Sequence, residues 1–441
     1  MKTPYEIIAK KRDGKKLTQV EIEYFLNNFL NKKIGEGQMA ALLMAIYLKG
    51  LTPQETFFFT KAMLDSGKNL SFKKKSVIDK HSTGGVGDKT SFVLMPIAAA
   101  CGIQVPMIAG RALGHTGGTI DKIESIKGFK TNLNLKKFQS GVLKNNLALI
   151  GQTKEIAPAD GLIYSLRDVT GTIESIPLIT ASIMSKKLAE GASGYVMDVK
   201  YGSGAFMPDL KSAKELASSL EKIGILFNKN IMTVISDMSQ PLGNYVGHSL
   251  EIFEAIETLK GHGPKDLTDL SIELAAGMIY LGGKAKDMTL ARKKALKALT
   301  SGKALEKFRE MVKFQGGNIK FLDDYRLFEM AETNTTVKSR KSGFVKSINA
   351  GAIGLHLIAL GGGRKFLGDK IDHGVGFHFH KKVGDKVKKG DSLLTIFHHN
   401  KQRQVVTEIE QDILKKDIKI SSKKENQSPL IYKRKVKWGR S

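Results

Sequence analysis

Residues 79–91 read Asp79-Lys80-His81-Ser82-Thr83-Gly84-Gly85-Val86-Gly87-Asp88-Lys89-Thr90-Ser91, and this glycine-rich stretch decides the fold. It follows a short apolar segment and precedes a longer one, as expected of a loop between a strand and a helix. Glycines let backbone N–H groups approach an anion, and a helix N-terminus adds partial positive charge. Lys80 supplies a full charge, and Ser82 and Ser91 supply hydroxyl donors. The spacing of a P-loop is absent, but the stretch predicts a phosphate site.

Outward from this first glycine loop (residues 79–91), short apolar segments alternate with glycine clusters and helical stretches. The segments that we interpret as strands are residues 76–79, 91–94, 105–109 and 231–236. Alternating strands and helices are typical of an α/β domain with a mainly parallel sheet. In such a sheet, ligands bind at the carboxyl ends of the strands.

The chain is long enough for several domains, since 441 residues exceed the usual size of one core. We predict a small all-helical domain over residues 1–66, in which Gly50 ends one helix and a capping box from Thr52 to Glu55 opens the next. The predicted domains are, in chain order, a helical domain at 1–66 completed by about 160–192, an α/β domain at 76–159 and 193–335, a C-terminal β-rich α+β module at 340–433, and a tail at 434–441. The polar, basic segment from about residue 423 is expected to be disordered.

The formal charge of +27 admits a nucleic-acid partner, because basic surfaces attract phosphates. The lysines are spread over the whole chain, however, and helix-turn-helix, zinc and aromatic-basic motifs are lacking. We therefore expect solvated lysines and no nucleic-acid partner. There is no signal peptide and no apolar stretch of membrane-spanning length, and Cys101 stands alone, so we expect a cytoplasmic protein without a membrane partner.

Two further segments carry polar groups suited to a ligand. The second glycine loop, residues 110–124, again follows a short apolar segment and ends its glycine turn at Thr119. The third segment holds Arg167, Ser182 and Lys186, the last two of which are four residues apart and so share a helix face. These three side chains could read the carbonyls and ring N–H of a pyrimidine, although taken alone they are equally consistent with a solvated surface.

The second glycine loop resembles the signature of the thymidine/pyrimidine nucleoside phosphorylase family. That signature usually reads Ser-Gly-Arg-Gly-Leu-Gly-His-Thr-Gly-Gly-Thr-x-Asp-Lys-x-Glu. The resemblance extends from the N-terminal helices to about residue 434. Ala109 replaces the usual serine and Ala112 the usual glycine. The first of these departures removes a hydroxyl near the expected phosphate.

The resemblance implies a homodimeric enzyme that reversibly phosphorolyses pyrimidine nucleosides, with inorganic phosphate as co-substrate and no organic cofactor. Its helical and α/β domains would close over the substrates. The implied phosphate ligands are Lys80, Ser82, Ser91 and Thr119. The implied base-binding residues are Arg167, Ser182 and Lys186, with Tyr164 packing near the ring and His81 near the base O2, where it could share a proton.

Met107 bears on the sugar, because it stands where family members that also accept uridine carry a lysine. A thioether cannot donate to a 2′-hydroxyl, so we expect thymidine and deoxyuridine to be the substrates; the alternative is a broad-specificity enzyme that also accepts uridine. Those broad-specificity members use potassium, and the corresponding residues here are Gly87, Lys89, Leu242, Tyr245 and Glu254. Lys89 replaces a threonine, and since a cationic side chain disfavours a bound cation, we expect no metal.

A remote alternative is an enzyme like anthranilate phosphoribosyltransferase, which shares the fold and a glycine-rich anion loop. That enzyme also needs pyrophosphate-binding and metal-binding acidic residues, and the sequence has no matching motif.

Overall fold

The structure is a computed structural model that describes residues 2–73, 76–112, 114–366, 368–425 and 427–439. The α-helices of this part of the chain are α1 (Pro4–Arg12), α2 (Gln19–Leu30), α3 (Glu36–Lys49), α4 (Pro53–Asp65), α5 (Thr90–Ala100), α6 (Thr119–Ile123), α7 (Leu135–Asn145), α8 (Pro158–Val169), α9 (Ile176–Ala189), α10 (Leu210–Leu226), α11 (His248–Leu259), α12 (Lys265–Leu281), α13 (Met288–Thr300), α14 (Lys303–Phe314), α15 (Ala350–Ala359) and α16 (Arg403–Asp412). The strands are β1 (Ile78–Ser82), β2 (Val105–Ala109), β3 (Leu147–Gly151), β4 (Gly194–Tyr201), β5 (Asn230–Asp237), β6 (Tyr245–Val246), β7 (Thr333–Lys338), β8 (Gly343–Ile348), β9 (Gly376–Phe379), β10 (Lys386–Val387), β11 (Ser392–His398), β12 (Ile418–Ser421) and β13 (Ile431–Lys437). None of the helices described is long and apolar enough to cross a membrane.

The small helical domain packs α8 and α9 against the four N-terminal helices. Ala159, Ile163 and Leu178 share one buried cluster with the apolar faces of α1 to α4. The predicted capping box is present, since Thr52 Oγ1 accepts from the backbone N–H of Glu55 and the Glu55 carboxylate accepts from the N–H of Thr52. Glu55 also accepts from buried Lys11 at 2.8 Å, so one carboxylate caps α4 and ties it to α1.

The larger domain is built on a mainly parallel sheet, as the sequence predicted. β1, β4 and β5 pair in parallel, and β2 pairs in parallel with β3. A parallel bridge between Val77 and Gln104 links the two groups beside β1. The first and second glycine loops therefore leave the same edge of the sheet, where β1 and β2 end.

The predicted strand at residues 91–94 is wrong, because these residues lie inside helix α5. The apolar run from Phe92 to Ala99 is buried on every side, and such a run does not distinguish a strand from a buried helix. Asp88 decides the outcome. Its carboxylate accepts from the N–H of Thr90 at 3.2 Å and from the Thr90 hydroxyl at 2.7 Å, which fixes the residue at which α5 begins.

The C-terminal module is β-rich, as predicted, and contains two small antiparallel sheets. One has the strand order β10-β8-β12, and the other β6-β9-β11-β7. Because β6 comes from the α/β domain and pairs with β9, the second sheet joins the module to that domain. Gly384 and Gly390, both with positive φ, turn the chain before β10 and β11.

The disorder expected from about residue 423 is not observed at Ile431–Lys437. This segment is β13, which pairs antiparallel with β5 and extends the main sheet. Its basic side chains lie near acids on two flanking helices: Arg434 is 2.6 Å from Glu273, and Lys435 is 2.5 Å from Glu221. The sequence of the segment alone could not reveal partners so distant in the chain. Of the predicted tail at 434–441, residues 440 and 441 lie outside the described residues.

We predict that β13 contributes to stability through its inward-facing apolar side chain. Val436 is half-buried against the core of the α/β domain, whereas its neighbour Lys437 is exposed. Val436→Ser should cost about 1–2 kcal/mol and lower the thermal unfolding midpoint, whereas Lys437→Ser should change stability by less than about 0.5 kcal/mol. Equal midpoints for the two variants in a circular-dichroism melt would show that β13 does not pack as described.

Candidate active site

A cavity of about 440 Å³ lies between the helical domain and the edge of the main sheet. All ten side chains that the sequence analysis assigned to phosphate, base or sugar line it. They come from β1, β2, the two glycine loops, α5, α6, α8 and α9. The size and the few polar groups in an otherwise largely apolar lining suit a small organic ligand.

The sheet side of the cavity, where phosphate is expected to bind, contains a buried network of two lysines and two aspartates. Lys80 donates to Thr90 Oγ1 at 2.9 Å and to Ser91 Oγ at 3.5 Å, and its Nζ lies 3.9 Å from carboxylate oxygens of both Asp88 and Asp198. Lys200 Nζ lies 2.7 Å from Asp198 and 3.8 Å from Asp88. The charges therefore alternate and nearly balance, as buried charges require.

The network sets the charge state of its members. Burial lowers the pKa of Lys80, although Asp88 and Asp198 oppose that effect. Burial would raise the pKa of Asp88, but Lys200 and Lys80 hold it well below its usual value. Asp88 is thus ionised at neutral pH, and it accepts from the Ser82 hydroxyl at 2.6 Å.

Asp88, Asp198 and Lys200 are not among the site residues predicted from sequence. Asp88 lies in the first glycine loop, and its short spacing from Ser82 and Thr90 could have indicated that it accepts hydrogen bonds from both. Asp198 and Lys200 lie on β4, and only the parallel pairing that sets Ser82 opposite Asp198 brings them to the loop.

The second glycine loop is anchored by charged side chains. Asp121 accepts from Arg111 at 2.8 Å, from Arg364 at 2.9 Å and from the N–H of Ala112 at 2.7 Å. Gly118 must be glycine here, since a Cβ would lie 2.2 Å from Ala112 N. Thr119 follows as the first residue of α6 and lines the cavity. Residue 113 of the signature lies outside the described residues.

Lys122 connects the two glycine loops. Its Nζ donates to the carbonyl of Asp88 at 2.8 Å and lies 2.7 Å from a carboxylate oxygen of Glu251 on α11. Lys122 is almost fully buried. The backbone of the first loop is therefore held by a side chain from the second.

The opposite wall of the cavity holds Arg167, Ser182, Lys186 and Tyr164. Ser182 and Lys186 share one face of α9, as their spacing predicts, and Lys186 donates to Ser182 Oγ at 2.9 Å and to the carboxylate of Asp160. The Tyr164 ring centroid lies 5.8 Å from Lys186 Nζ, and burial raises the pKa of Tyr164 to about 12.

Arg167 is buried and already hydrogen-bonded. It donates to the backbone carbonyls of Thr172 at 3.1 Å, Ile173 at 2.6 Å and Leu178 at 3.3 Å. The sequence did not indicate these partners. These bonds use three of the five N–H donors of the guanidinium and fix its orientation.

Around Lys89 lie the oxygens of the residues aligned with the potassium site. Its Nζ donates to the carbonyls of Leu242 at 3.0 Å and Tyr245 at 2.6 Å and to Glu254 Oε2 at 2.5 Å. Gly87 adjoins them, because a Cβ there would lie 2.7 Å from the Leu242 carbonyl oxygen. These residues do not fit a metal ion, because the lysine ammonium already occupies the oxygen cluster.

Comparison with known proteins assigns the chain to a family. Family models match in three consecutive blocks: "Glycosyl transferase family, helical bundle domain" at residues 5–67, "Glycosyl transferase family, a/b domain" at 74–305 and "Pyrimidine nucleoside phosphorylase C-terminal domain" at 344–420. A pyrimidine-nucleoside phosphorylase of Staphylococcus epidermidis is 45% identical over 97% of this chain and 98% of its own. A pyrimidine-nucleoside phosphorylase of Staphylococcus aureus is 47% identical over 90% of this chain and 92% of its own.

The chain belongs to the pyrimidine-nucleoside phosphorylase family. It is accordingly a pentosyltransferase. The solved anthranilate phosphoribosyltransferase of Thermus thermophilus matches 70% of this chain and 99% of its own, with a TM-score of 0.58 and 20% identity. At that identity the likeness shows a common fold alone.

In this member of the pyrimidine-nucleoside phosphorylase family, His81 is a neutral group. It lies on β1, half-buried at the cavity. Burial, followed by the positive charges of Lys187, Lys80 and Lys186, holds its pKa well below 6.5. His81 can therefore donate or accept one hydrogen bond at neutral pH, but it does not carry a spare proton.

We predict a pH signature for this histidine in the absence of phosphate. Below pH 6.5 the unfolded chain takes up a proton at His81 that the native chain does not, so this group lowers stability as the pH falls. His81→Gln removes the effect, and its thermal midpoint relative to the unmodified protein should rise between pH 7.5 and pH 5.5. His262→Gln, at an exposed histidine outside the cavity, controls for the substitution itself. A flat difference for His81→Gln would mean that His81 takes up a proton as readily in the native state as in the unfolded chain.

Proposed function

We propose that this chain reversibly phosphorolyses pyrimidine nucleosides, with thymidine and deoxyuridine as preferred substrates. The products are the free base and 2-deoxy-α-D-ribose 1-phosphate. The observation that supports this most directly is a single cavity with a cationic, hydroxyl-rich wall on the sheet side and a hydrogen-bonding wall on the helical side. The names of the Staphylococcus relatives support the same class of substrate.

In the proposed reaction, phosphate binds beside Lys80 and is held by the hydroxyls of Ser82, Ser91 and Thr119. A phosphate oxygen attacks C1′ from the face opposite the base, while the bond from C1′ to the base nitrogen breaks. The sugar passes through an oxocarbenium-like state whose positive charge the bound anion stabilises. Because Lys80 is fixed by Asp88, Asp198 and Thr90, little reorganisation is needed when charge develops.

The base leaves with the electron pair of the broken bond, so its oxygens gain negative charge. Lys186 and Arg167 are the proposed cations for that charge, and neutral His81 is the proposed hydrogen-bond donor near O2. Lys186 already touches Asp160 and Ser182, which orients its ammonium. Interactions that strengthen as the base becomes negative lower the barrier by differential binding. Closure of the helical domain would bring the two walls together.

The most informative experiment is the release of thymine from thymidine, followed by ultraviolet absorbance with and without phosphate. Phosphate-dependent release supports the proposal. Release without phosphate, or none with thymidine, deoxyuridine or uridine, would refute it. Product analysis for the α-configured sugar 1-phosphate tests attack from the opposite face.

We predict that Lys186→Ala lowers kcat/KM by at least about 10²–10³-fold, the usual effect of deleting one transition-state donor. The matched control is Lys61→Ala on α4 of the same domain, where the ammonium contacts only the exposed Asp65. Lys61→Ala should keep full activity. Near-normal turnover by Lys186→Ala would exclude the proposed base site.

Selectivity for the 2-deoxy sugar is proposed from Met107. Its side chain is 2% exposed on β2 and lines the cavity next to the second glycine loop. A thioether offers no donor to a 2′-hydroxyl, so uridine gains nothing over deoxyuridine at this position.

Met107→Lys should raise the uridine-to-thymidine ratio of kcat/KM by roughly tenfold, equivalent to about 1.4 kcal/mol. Met107→Leu keeps the volume without adding a donor and should leave the ratio unchanged. If wild type already turns over uridine as well as thymidine, the alternative of a broad-specificity enzyme is correct.

We also propose a homodimer. Large apolar side chains are exposed on the helical domain, including Tyr5 on α1 and Leu48 on α3. An interface between two copies of the helical domain would cover these side chains. A molar mass near one chain in sedimentation equilibrium would refute the proposal.

A further inference from the structure

The ammonium of Lys89 occupies an enclosed cluster of oxygens. Lys89 is fully buried, and its three donors reach two backbone carbonyls and one carboxylate, those of Leu242, Tyr245 and Glu254. Glu254 is itself 3% exposed, so the pair is a buried ion pair of one positive and one negative charge. Every hydrogen of the ammonium therefore has an acceptor, and the carboxylate has a counter-charge.

The space around the ammonium is filled. At Gly243 the backbone has a φ of +71°, and a Cβ there would lie 2.3 Å from Glu254 Oε2 and 3.1 Å from Lys89 Nζ. A second cation placed among the same oxygens would lie within a few ångströms of Nζ. Two like charges so close together, away from bulk water, repel strongly.

A second lysine reinforces this conclusion from the other side of the same segment, residues 241–245. Lys382, from the C-terminal module, donates to the carbonyls of Pro241 and Gly243 and lies 3.4 Å from Asp266. Burial lowers the pKa of Lys382, and Lys89 adds to that effect. The segment is thus already held by two ammonium groups.

The position of Lys89 in the chain links this cluster to the phosphate side of the cavity. Lys89 lies between Asp88, which belongs to the charge network, and Thr90, which begins α5 and accepts from Lys80. Fixing Nζ to the 241–245 segment and to α11 therefore fixes the end of the first glycine loop.

The geometry points to Lys89 as a covalently attached replacement for a monovalent metal ion: the enzyme holds its phosphate loop with a lysine ammonium and has no potassium requirement. Lys89 is a positioning residue, since it touches neither substrate. The effect on phosphate binding rests on the proposed function, whereas the effect on cation dependence and stability does not.

The test is thermal unfolding in potassium chloride and in tetramethylammonium chloride at equal ionic strength. The unmodified protein should have the same midpoint in both salts, because it has no site for potassium to fill. A saturable rise of the midpoint that is specific to potassium in the unmodified protein would overturn the inference, whatever its activity.

Lys89→Thr supplies the second arm, because it removes the ammonium and adds an oxygen ligand beside the carbonyls and Glu254. This variant should melt several degrees lower in tetramethylammonium chloride and regain stability with increasing potassium. Its KM for phosphate should fall in parallel. Lys89→Met, which fills the same space without an oxygen, should stay destabilised in both salts.

The outcomes separate the inference from the proposed function. If the unfolding midpoint of Lys89→Thr does not change with potassium concentration, the inference that Lys89 replaces a metal ion is wrong. If Lys89→Thr does not fold in either salt, the comparison of the two salts on the unmodified protein still decides the question. If the protein and its variants respond to the two salts as expected but no phosphorolysis is detected, the inference stands and the proposed function is refuted.

Discussion

The buried alternation of charge among Lys80, Asp88, Lys200 and Asp198 is the constraint on which the sheet side of the cavity depends. Two ammonium groups and two carboxylates meet where β1 and β4 end, in a place almost closed to water. Removal of any one leaves an unpaired buried charge, which typically costs 3–5 kcal/mol. All four groups must therefore be brought together. This requires both the parallel register of β1 with β4 and the observed conformation of the first glycine loop.

The sequence predicts those parts of the site whose geometry is local. The first glycine loop and the shared face of Ser182 and Lys186 depend on short spacings, which the chain displays directly. Asp198 and Lys200 could not be found in this way, because they look like any polar residues of a strand until β4 is paired with β1. The basic strand β13 was missed for the same reason, since its neutralising acids lie on α10 and α12.

The two walls of the cavity differ in how far they are organised before a ligand arrives. On the sheet side, Lys80 is held by Thr90, Ser91 and two carboxylates, so an anion meets groups already in position. On the helical side, Arg167 donates hydrogen bonds to three backbone carbonyls. The cationic groups on the two walls are thus held differently, Lys80 by side chains and Arg167 by the backbone of the helical domain.

A lysine in place of a metal ion changes the physics of the loop that it holds. A bound ion stabilises a loop according to its concentration, whereas a side chain is present at a fixed effective concentration. The lysine side chain also forms a structural connection. Lys89 joins the first glycine loop to residues 241–245, and Lys382 joins that segment to the C-terminal module. The sheet β6-β9-β11-β7 runs through the same junction. The module is thus connected to the sheet side of the cavity by two ammonium groups, and its packing bears on the position of the first glycine loop.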